Sequence, residues 1–205
     1  MIRWSDCRNI LIAEAVLSVA AAFIFAPAFL TGLLAVAFTL YFFRDPERIT
    51  PDDIGAIISS ADGKVMSVEL VDDPFVGAAT KVAVFMSPFD VHINRSPFEG
   101  VIRSVKHTPG KKIAAYLEGS PEGREHVRIE LAGVINIALI QYAGVFARRI
   151  VPFVKECDEV RVGQRIGMIK FGSRVDVILP KNVEVKVKKG ERVRAGETVI
   201  GVLSG

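Results

Sequence analysis

A glycine-serine pair near the C-terminal end, Gly172-Ser173, has the clearest chemical potential in this sequence. In a strained turn, the hydroxyl of such a serine can attack the preceding carbonyl in an N-to-O acyl shift. The resulting ester can eliminate to dehydroalanine, which hydrolyses to a pyruvoyl group, and glycine suits the first position because it lacks Cβ. The pair is not a hydrolase elbow, since Phe171 and Val175 stand where the G-x-S-x-G pattern has glycines. Most Gly-Ser pairs are ordinary turns, so the pair alone does not establish this chemistry.

A serine nucleophile needs a base, and the chain contains three histidines, His92, His107 and His126. His92 is favoured because it lies in Asp90-Val-His-Ile-Asn-Arg95, directly after a predicted buried strand. A near-neutral imidazole suits proton transfer, which accelerates such steps by roughly 10²–10⁴-fold. A histidine at a strand end can equally be a satisfied structural residue, and on the residues alone this alternative stays open.

The part of the chain that must position these residues is predicted to be mainly β. Beyond Thr50, short apolar runs rich in β-branched residues are broken by Gly, Pro and Asp. Strands are expected at residues 81–86, 127–131, 134–142 and 183–187. In the last of these, valines alternate with charged residues, which indicates one apolar and one solvated face.

The last fifty residues contain an internal repeat. Val160-Arg-Val-Gly-Gln-Arg-Ile166 matches Val193-Arg-Ala-Gly-Glu-Thr-Val199 at an offset of 33 residues. The second copy resembles the turn and strand of biotinyl and lipoyl domains, in which two such halves form a flattened β-sandwich. Those domains carry a modifiable lysine between the halves, whereas this chain has Ser173 between them. We therefore expect a barrel-sandwich β domain of the lipoyl and biotinyl type.

A long apolar segment precedes this β domain, with Glu14 as the only charged residue between Ile10 and Phe43. We expect residues 1–46 to form a membrane-associated helical segment. Pro27 divides the apolar run into halves of 16 residues, each too short for the ~30 Å hydrocarbon core, so either one kinked span or a shallow hairpin results. Basic residues flank both ends, which favours a hairpin with both ends cytoplasmic. A cleaved signal peptide is the alternative, but the run is longer than its usual apolar region.

Composition excludes several other classes. The 26 Lys and Arg residues against 23 Asp and Glu residues give a net charge of +3, which is too weak for a nucleic-acid partner. Two cysteines, Cys7 and Cys157, cannot form a disulfide framework, and neither lies in metal-ligand spacing. We expect no metal.

Five sequence blocks combine into one pattern. They are Phe42-Phe-Arg-Asp-Pro-Glu-Arg48, Ala61-Asp-Gly63, Met86-Ser-Pro-Phe-Asp-Val-His-Ile-Asn-Arg-Ser-Pro97, Ala147-Arg-Arg-Ile-Val151 and Lys170-Phe-Gly-Ser-Arg-Val-Asp-Val-Ile-Leu-Pro180. Together, in this order, they closely resemble the short form of the phosphatidylserine decarboxylase proenzyme family, whose archaeal members are thought to act on archaetidylserine, the ether-lipid counterpart. The resemblance extends from about Phe42 to the C-terminus.

The resemblance implies a self-cleaving enzyme. Cleavage between Gly172 and Ser173 would give a β chain of residues 1–172 and an α chain of residues 173–205, which stay associated. Ser173 would become an N-terminal pyruvoyl group, whose ketone forms a Schiff base with the substrate amine and accepts the electrons left by CO₂, so that no pyridoxal phosphate is needed. The implied reaction converts the serine headgroup of phosphatidylserine or archaetidylserine to ethanolamine. The implied location is the cell membrane, with the catalytic domain on the cytoplasmic face.

The resemblance also assigns site residues. Asp62 matches the family's aspartate that orients the catalytic histidine, here His92, although an Asp-Gly pair is also a common turn former. Longer bacterial sequences carry a second histidine three residues on, where this chain has Arg95. Arg95, Arg148 and Arg149 are candidate ligands of the lipid phosphate.

A different class of protein stays open beside the enzyme. A non-catalytic, membrane-anchored lipoyl-domain adaptor of an efflux system would also have an N-terminal apolar segment and a β-sandwich. This chain lacks the long helical hairpin that such adaptors insert between their half-units. A lipoyl or biotin carrier is disfavoured because the lysine motif is missing. Exposed sheet edges leave homo-oligomerisation open.

Overall fold

The computed structural model describes residues 4–22, 26–110, 123–144, 149–170 and 173–204. The chain divides into two compact units, Met1–Glu47 and Arg48–Gly205. The first unit is helical, and the second, hereafter the body, consists of β-strands. The prediction of a mainly β fold preceded by a helical segment is confirmed.

Two helices form the N-terminal unit, α1 (Trp4–Ala22) and α2 (Ala26–Phe42). The Thr39 hydroxyl donates to Glu14 Oε1 at 2.9 Å, and a Cβ atom added at Gly32 would overlap the side chain of Ser18. The partner residue in α1 shifts from Ser18 back to Glu14 as α2 advances from Gly32 to Thr39, so the two helices run antiparallel in close contact. In the ranges that the structure describes, no helix combines the length and the hydropathy that crossing a membrane requires.

Fourteen strands are present in the described part of the body. They are β1 (Ala56–Ile58), β2 (Gly63–Asp73), β3 (Gly77–Met86), β4 (Ile93–Arg95), β5 (Gly100–Thr108), β6 (His126–Ala132), β7 (Asn136–Ala143), β8 (Arg149–Pro152), β9 (Glu159–Val160), β10 (Arg165–Lys170), β11 (Ser173–Pro180), β12 (Val183–Val185), β13 (Arg192–Val193) and β14 (Val199–Leu203). The predicted strands correspond to β3, β6, β7 and β12. The last is shorter than predicted, because Val187 lies beyond its end.

All the strand pairs of the described body are antiparallel and form three sheets. The largest has eight strands in the order β13-β2-β3-β11-β7-β6-β5-β9, and the two smaller sheets have the orders β1-β14-β12 and β4-β10-β8. One face of the large sheet packs into the main hydrophobic core, to which β2, β3, β6, β7 and β11 all contribute valine, isoleucine or leucine side chains. This core contributes on the order of 25 cal/mol per Å² of apolar surface that it removes from water.

The body consists of two similar halves, because β13-β2-β3-β11 on one side of the large sheet is mirrored by β9-β5-β6-β7 on the other. Gly63 and Gly100 open the equivalent strands β2 and β5 with φ of 153° and 156°, and at either glycine a Cβ atom would overlap a carbonyl oxygen of the neighbouring strand. A bulge follows each glycine at the same distance. The predicted repeat belongs to this pattern, since its glycines Gly163 and Gly196 occupy equivalent turns with φ of 75° and 80°.

One half is inserted into the other, and the insertion point lies at Ser173. Residues 93–170 supply β4 to β10 without interruption, whereas the other half combines β1 to β3 with β11 to β14. In the continuous half a tight turn joins β6 to β7, where the Gly133 amide donates to the Ile135 carbonyl. In the other half the corresponding strands β3 and β11 are separated by the whole insertion. β10 and β11 therefore belong to different sheets and do not form the hairpin of a carrier domain.

Candidate active site

Ser173 is the first residue of β11 and is fully buried. It pairs with Met86 at the end of β3 and with Ala143 at the end of β7. Because strand residues alternate between faces, Ser173 shares the core face with Val175 and Val177. Its hydroxyl donates to the sulfur of Met86 at 3.2 Å. The predicted nucleophile is thus held inside the body by two ladders of backbone hydrogen bonds, while Gly172 lies outside the described residues.

His92 is also fully buried and lies in the segment between β3 and β4. Its Nδ1 atom is 2.9 Å from the carbonyl oxygen of Asp90. A carbonyl oxygen only accepts, so Nδ1 carries the proton and Nε2 is the basic nitrogen of the neutral ring. The His92 carbonyl accepts from the Ile169 amide at 3.3 Å, which fixes His92 against β10, the last strand before Ser173. The imidazole therefore has the tautomer that a general base at Nε2 requires.

Asp62 lies just before β2 and binds two groups. Its Oδ2 atom accepts from Arg48 Nη2 at 2.7 Å, and its Oδ1 atom accepts from the Ala195 amide at 2.8 Å. Arg48 also donates to Glu197 at 3.2 Å. Burial raises the pKa of Asp62, although the Ala195 amide and the Arg48 cation both act to lower it. With these partners in place, the role of Asp62 in orienting His92 stays a prediction.

The structure describes two of the three predicted phosphate ligands, Arg95 and Arg149, which pair with opposite ends of β10. Arg95 is buried, and its guanidinium donates to the Gly163 carbonyl at 3.0 Å, whereas Arg149 is exposed at the start of β8. Arg148 lies outside the described residues. The phosphate-binding role of all three arginines stays a prediction.

The other two histidines lie on the strands β5 and β6. His107 is mostly exposed and 3.3 Å from a carboxylate oxygen of Glu125. His126 packs beside Tyr142, with the two ring centroids 5.8 Å apart, and pairs with it across the ladder between β6 and β7. Because Tyr142 neighbours Ala143, which pairs with Ser173, Tyr142 and His126 occupy the face of the sheet opposite Ser173.

That opposite face carries a buried ion pair directly after Ser173. Arg174 donates to both carboxylate oxygens of Asp176, at 2.6 and 2.7 Å, and its guanidinium lies 5.3 Å from the centre of the Tyr142 ring. Burial raises the pKa of Tyr142 and of Asp176. This double hydrogen bond holds Arg174 away from the core and so directs Ser173 into it.

Sequence reasoning did not identify several polar residues near Ser173. Arg48 lies in the first of the five sequence blocks, but only the structure shows that it binds Asp62. Gln141 gave a visible signal, because it is the only polar side chain between Ile137 and Ala143, yet it is buried on the core face. Asn94 is buried as well and accepts a hydrogen bond from Gln141 at 2.7 Å.

Within the described residues, no group of three or more His, Cys, Asp or Glu side chains is arranged to hold a metal ion. The Ser173 hydroxyl contacts the Met86 sulfur, which also contacts the Asn94 amide, and Asn94 is in turn bonded to Gln141. On its own face of the sheet Ser173 thus meets uncharged groups in a water-poor interior.

Comparison with known proteins agrees with this arrangement. The family model of phosphatidylserine decarboxylase matches residues 35–201. Proteins named phosphatidylserine decarboxylase proenzyme are similar over most of their length. The one from Desulfotalea psychrophila is 47% identical over 173 residues, covering 82% of this chain and 81% of the relative. Those from Chlorobium chlorochromatii and Novosphingobium aromaticivorans are 47% and 48% identical, covering 86% and 84% of this chain and 85% and 73% of the relatives.

The chain therefore belongs to the phosphatidylserine decarboxylase family. It is an enzyme, a decarboxylase, as the resemblance in its sequence blocks predicted. The name proenzyme, carried by its relatives, denotes a precursor form.

Replacing Arg48 tests the electrostatic environment of Asp62. Arg48→Met leaves a buried carboxylate without its cation, and we expect it to lower the free energy of unfolding at neutral pH by about 3–5 kcal/mol. Losing the cation raises the pKa of Asp62 further above its unfolded value, so protonation favours the folded state. The loss of stability should be complete at pH values above the raised pKa of Asp62, and it should shrink as the pH falls through that pKa. The measurement is denaturant unfolding across a pH series, with each Arg48 variant made in a Ser173→Ala background so that the chain stays uncleaved.

Arg48→Lys is the matched control, because it keeps a cation beside Asp62. It should lose less stability than Arg48→Met, with a weaker dependence on pH. A deficit of the same size at every pH would mean that Arg48 acts through packing alone.

Proposed function

We propose that this enzyme decarboxylates the serine headgroup of a membrane phospholipid, phosphatidylserine or archaetidylserine, after cleaving itself between Gly172 and Ser173. The observation that carries the proposal is the position of Ser173, a buried serine that opens a central strand of the large sheet. His92, the proposed base, has the tautomer with the proton on Nδ1. Family membership supports the reaction class. We found no specific observation that favours the efflux adaptor.

Maturation begins at the Ser173 hydroxyl. Its oxygen adds to the carbonyl carbon of Gly172 while His92 takes the hydroxyl proton. The peptide C–N bond then breaks as His92 returns that proton to the Ser173 nitrogen, which leaves an ester and a free amine on Ser173. Removal of the Ser173 α-proton expels the Gly172 carboxylate and gives dehydroalanine. Its imine tautomer takes up water and releases ammonia, which leaves a pyruvoyl group at the new N-terminus.

The surroundings of Ser173 fit a small, uncharged prosthetic group. Met86 and Ala143 flank the position on the two neighbouring strands, and neither carries a charge. A pyruvoyl group supplies a ketone that binds the substrate amine and accepts the electrons left by departing CO₂. His92, with Nδ1 donating to the Asp90 carbonyl, presents Nε2 as the group that returns a proton to the substrate carbon.

The two product chains would stay associated because their strands alternate. In the large sheet β11 of the α chain lies between β3 and β7 of the β chain, and in a smaller sheet β14 pairs with β1. Asp62 of the β chain also accepts a hydrogen bond from the Ala195 amide of the α chain. Backbone ladders on both sides of β11 therefore replace the covalent link.

The first experiment examines processing directly. Wild-type protein should yield a large chain and a chain of residues 173–205 blocked by a keto group, whereas Ser173→Ala should remain one chain without activity, because alanine offers no oxygen for the acyl shift. Intact-mass spectrometry distinguishes the two results. An unbroken wild-type chain, or a Ser173→Ala protein that matures normally, would sink the proposal.

The assignment of the base is tested by histidine replacements. His92→Ala should slow self-cleavage by about 10²-fold or more, since the hydroxyl loses its proton acceptor, and Asp62→Ala should slow it as well. His107→Ala and His126→Ala serve as controls, because His126 lies on the opposite face of the sheet from Ser173, and His107 is mostly exposed on β5, three strands away from β11. The measurement is the fraction cleaved with time after synthesis. Normal cleavage of His92→Ala with arrest of His126→Ala would contradict the assignment.

We further propose that the α1–α2 hairpin attaches the enzyme to the cell membrane, with the body on the cytoplasmic face. Large apolar side chains on both helices are solvent-exposed, among them Leu17, Leu30 and Leu34. Exposed apolar surface of this extent marks a surface that another apolar phase covers. Basic residues flank both ends of the segment, which supports placing both ends on the cytoplasmic side.

Membrane attachment is tested on α2. Leu30→Glu combined with Leu34→Glu should weaken co-sedimentation with vesicles of phosphatidylserine and phosphatidylcholine by at least about 10-fold, because two exposed leucines no longer enter the apolar phase. Leu70→Glu is the control, since Leu70 is even more exposed but lies on β2 of the body. Unchanged binding of the α2 variant would exclude the hairpin as the attachment.

A further inference from the structure

Two buried amide side chains adjoin Ser173 without a role in the chemistry described above. Gln141 Nε2 donates to Asn94 Oδ1 at 2.7 Å. Asn94 Nδ2 in turn lies 3.7 Å from the sulfur of Met86, the same atom that accepts from the Ser173 hydroxyl at 3.2 Å. The Asn94 amide and the Ser173 hydroxyl therefore converge on one sulfur atom.

The orientation of both amides is fixed by their neighbours. Besides Met86, the second neighbour of Asn94 Nδ2 is the Ser60 carbonyl, at 3.4 Å. A carbonyl and a thioether accept but do not donate, so the nitrogen of Asn94 must face them and its oxygen must face Gln141. The amide hydrogens of Asn94 thus point toward the side of the core where Ser173 lies.

These amide hydrogens are poorly used. A separation of 3.4 Å exceeds the usual range of N–H···O hydrogen bonds, and a thioether is a weak acceptor. Within the described residues, Gln141 Oε1 and the Ser60 hydroxyl are buried without a hydrogen-bond partner. A polar group buried without a partner destabilises the fold. Polar groups kept in this state in a core are expected to serve chemistry.

The fold makes space for this amide pair. Gly167 on β10 pairs with Asn94 on β4, and a Cβ atom at Gly167 would lie 2.8 Å from Gln141 Nε2. The Gln141 side chain therefore passes over Gly167 to reach Asn94. A side chain at Gly167 would displace the Gln141 amide from this position.

We propose that Asn94 supplies the hydrogen-bond donor that stabilises the oxyanion of self-cleavage, and that Gln141 positions it. The inference rests on the proposed function. When Ser173 Oγ bonds to the Gly172 carbonyl carbon and its proton passes to His92, the carbonyl π electrons move to the carbonyl oxygen, which is negative until the C–N bond breaks. A neutral donor preorganised beside the reacting hydroxyl stabilises that charge strongly in a buried site.

The test follows the rate of self-cleavage in newly synthesised full-length chain. Asn94→Ala should slow cleavage by about 10²–10³-fold, the usual loss for one oxyanion donor. Asn94→Asp should be at least as slow, because it can accept from Gln141 but has no amide hydrogen to offer. Asn136→Ala, at an exposed asparagine on the same strand as Gln141, should cleave within about twofold of wild type.

Hydroxylamine identifies the blocked step, since it cleaves esters but leaves peptide bonds intact. Uncleaved Asn94→Ala precursor should resist it, because the block precedes the ester. Precursor that hydroxylamine does cleave would place the defect in the elimination step and overturn the inference. Asn94→Asp cleaving clearly faster than Asn94→Ala would also overturn it, since that order follows from a role in packing.

Gln141 and Gly167 give an independent arm that leaves Asn94 intact. Gln141→Leu and Gly167→Ala should each slow cleavage by about 10-fold, because Asn94 is no longer held, and neither precursor should yield to hydroxylamine. Thermal unfolding in the Ser173→Ala background checks that each variant folds. If Asn94→Ala does not fold, the Gln141 and Gly167 variants decide the test. Normal cleavage of both variants would overturn the inference. A wild-type chain that never cleaves would instead overturn the proposed function.

Discussion

The pairing of β11 on both of its edges is the constraint on which the body depends. β11 is hydrogen-bonded to β3 and to β7 along most of its length, so two ladders rather than a loop set the position of Ser173. Strand alternation then sends Ser173 to the core face and Arg174 to the opposite face, where Asp176 holds it. A one-residue slip would exchange these faces and bury the wrong side chain.

The buried charged groups described above all have hydrogen-bond partners. Asp62 joins Arg48, at the beginning of the body, to the backbone of Ala195 near its end. Removing either partner would leave an uncompensated charge in the interior, which is far costlier than losing a surface ion pair. The side chains that flank Ser173 on the neighbouring strands, Met86 and Ala143, are neutral by contrast, and in such surroundings fixed dipoles stabilise developing charge more strongly than water does.

The sequence predicted the elements better than their arrangement. Alternating valines and apolar runs indicated β3, β6, β7 and β12, because strand burial imposes a period of two residues. The similarity between β2 and β5 was not detected in the sequence. What the two strands share is mainly an initial glycine, Gly63 and Gly100, where a neighbouring carbonyl leaves no room for a side chain. Ser173 and His92 stood in recognisable blocks, whereas the partnership of Arg48 with Asp62 depends on tertiary folding that no local pattern encodes.

The burial of Ser173 constrains what kind of chain end can exist there. Most protein termini lie at the surface, where water solvates their charges. Simple hydrolysis before Ser173 would place an ammonium group at the first residue of a central strand, in a position with no solvent exposure, and burying such an ion without a partner is strongly unfavourable. A ketone in the same place is neutral and needs no counter-ion. An interior chain break is therefore compatible with this fold when the new end is uncharged.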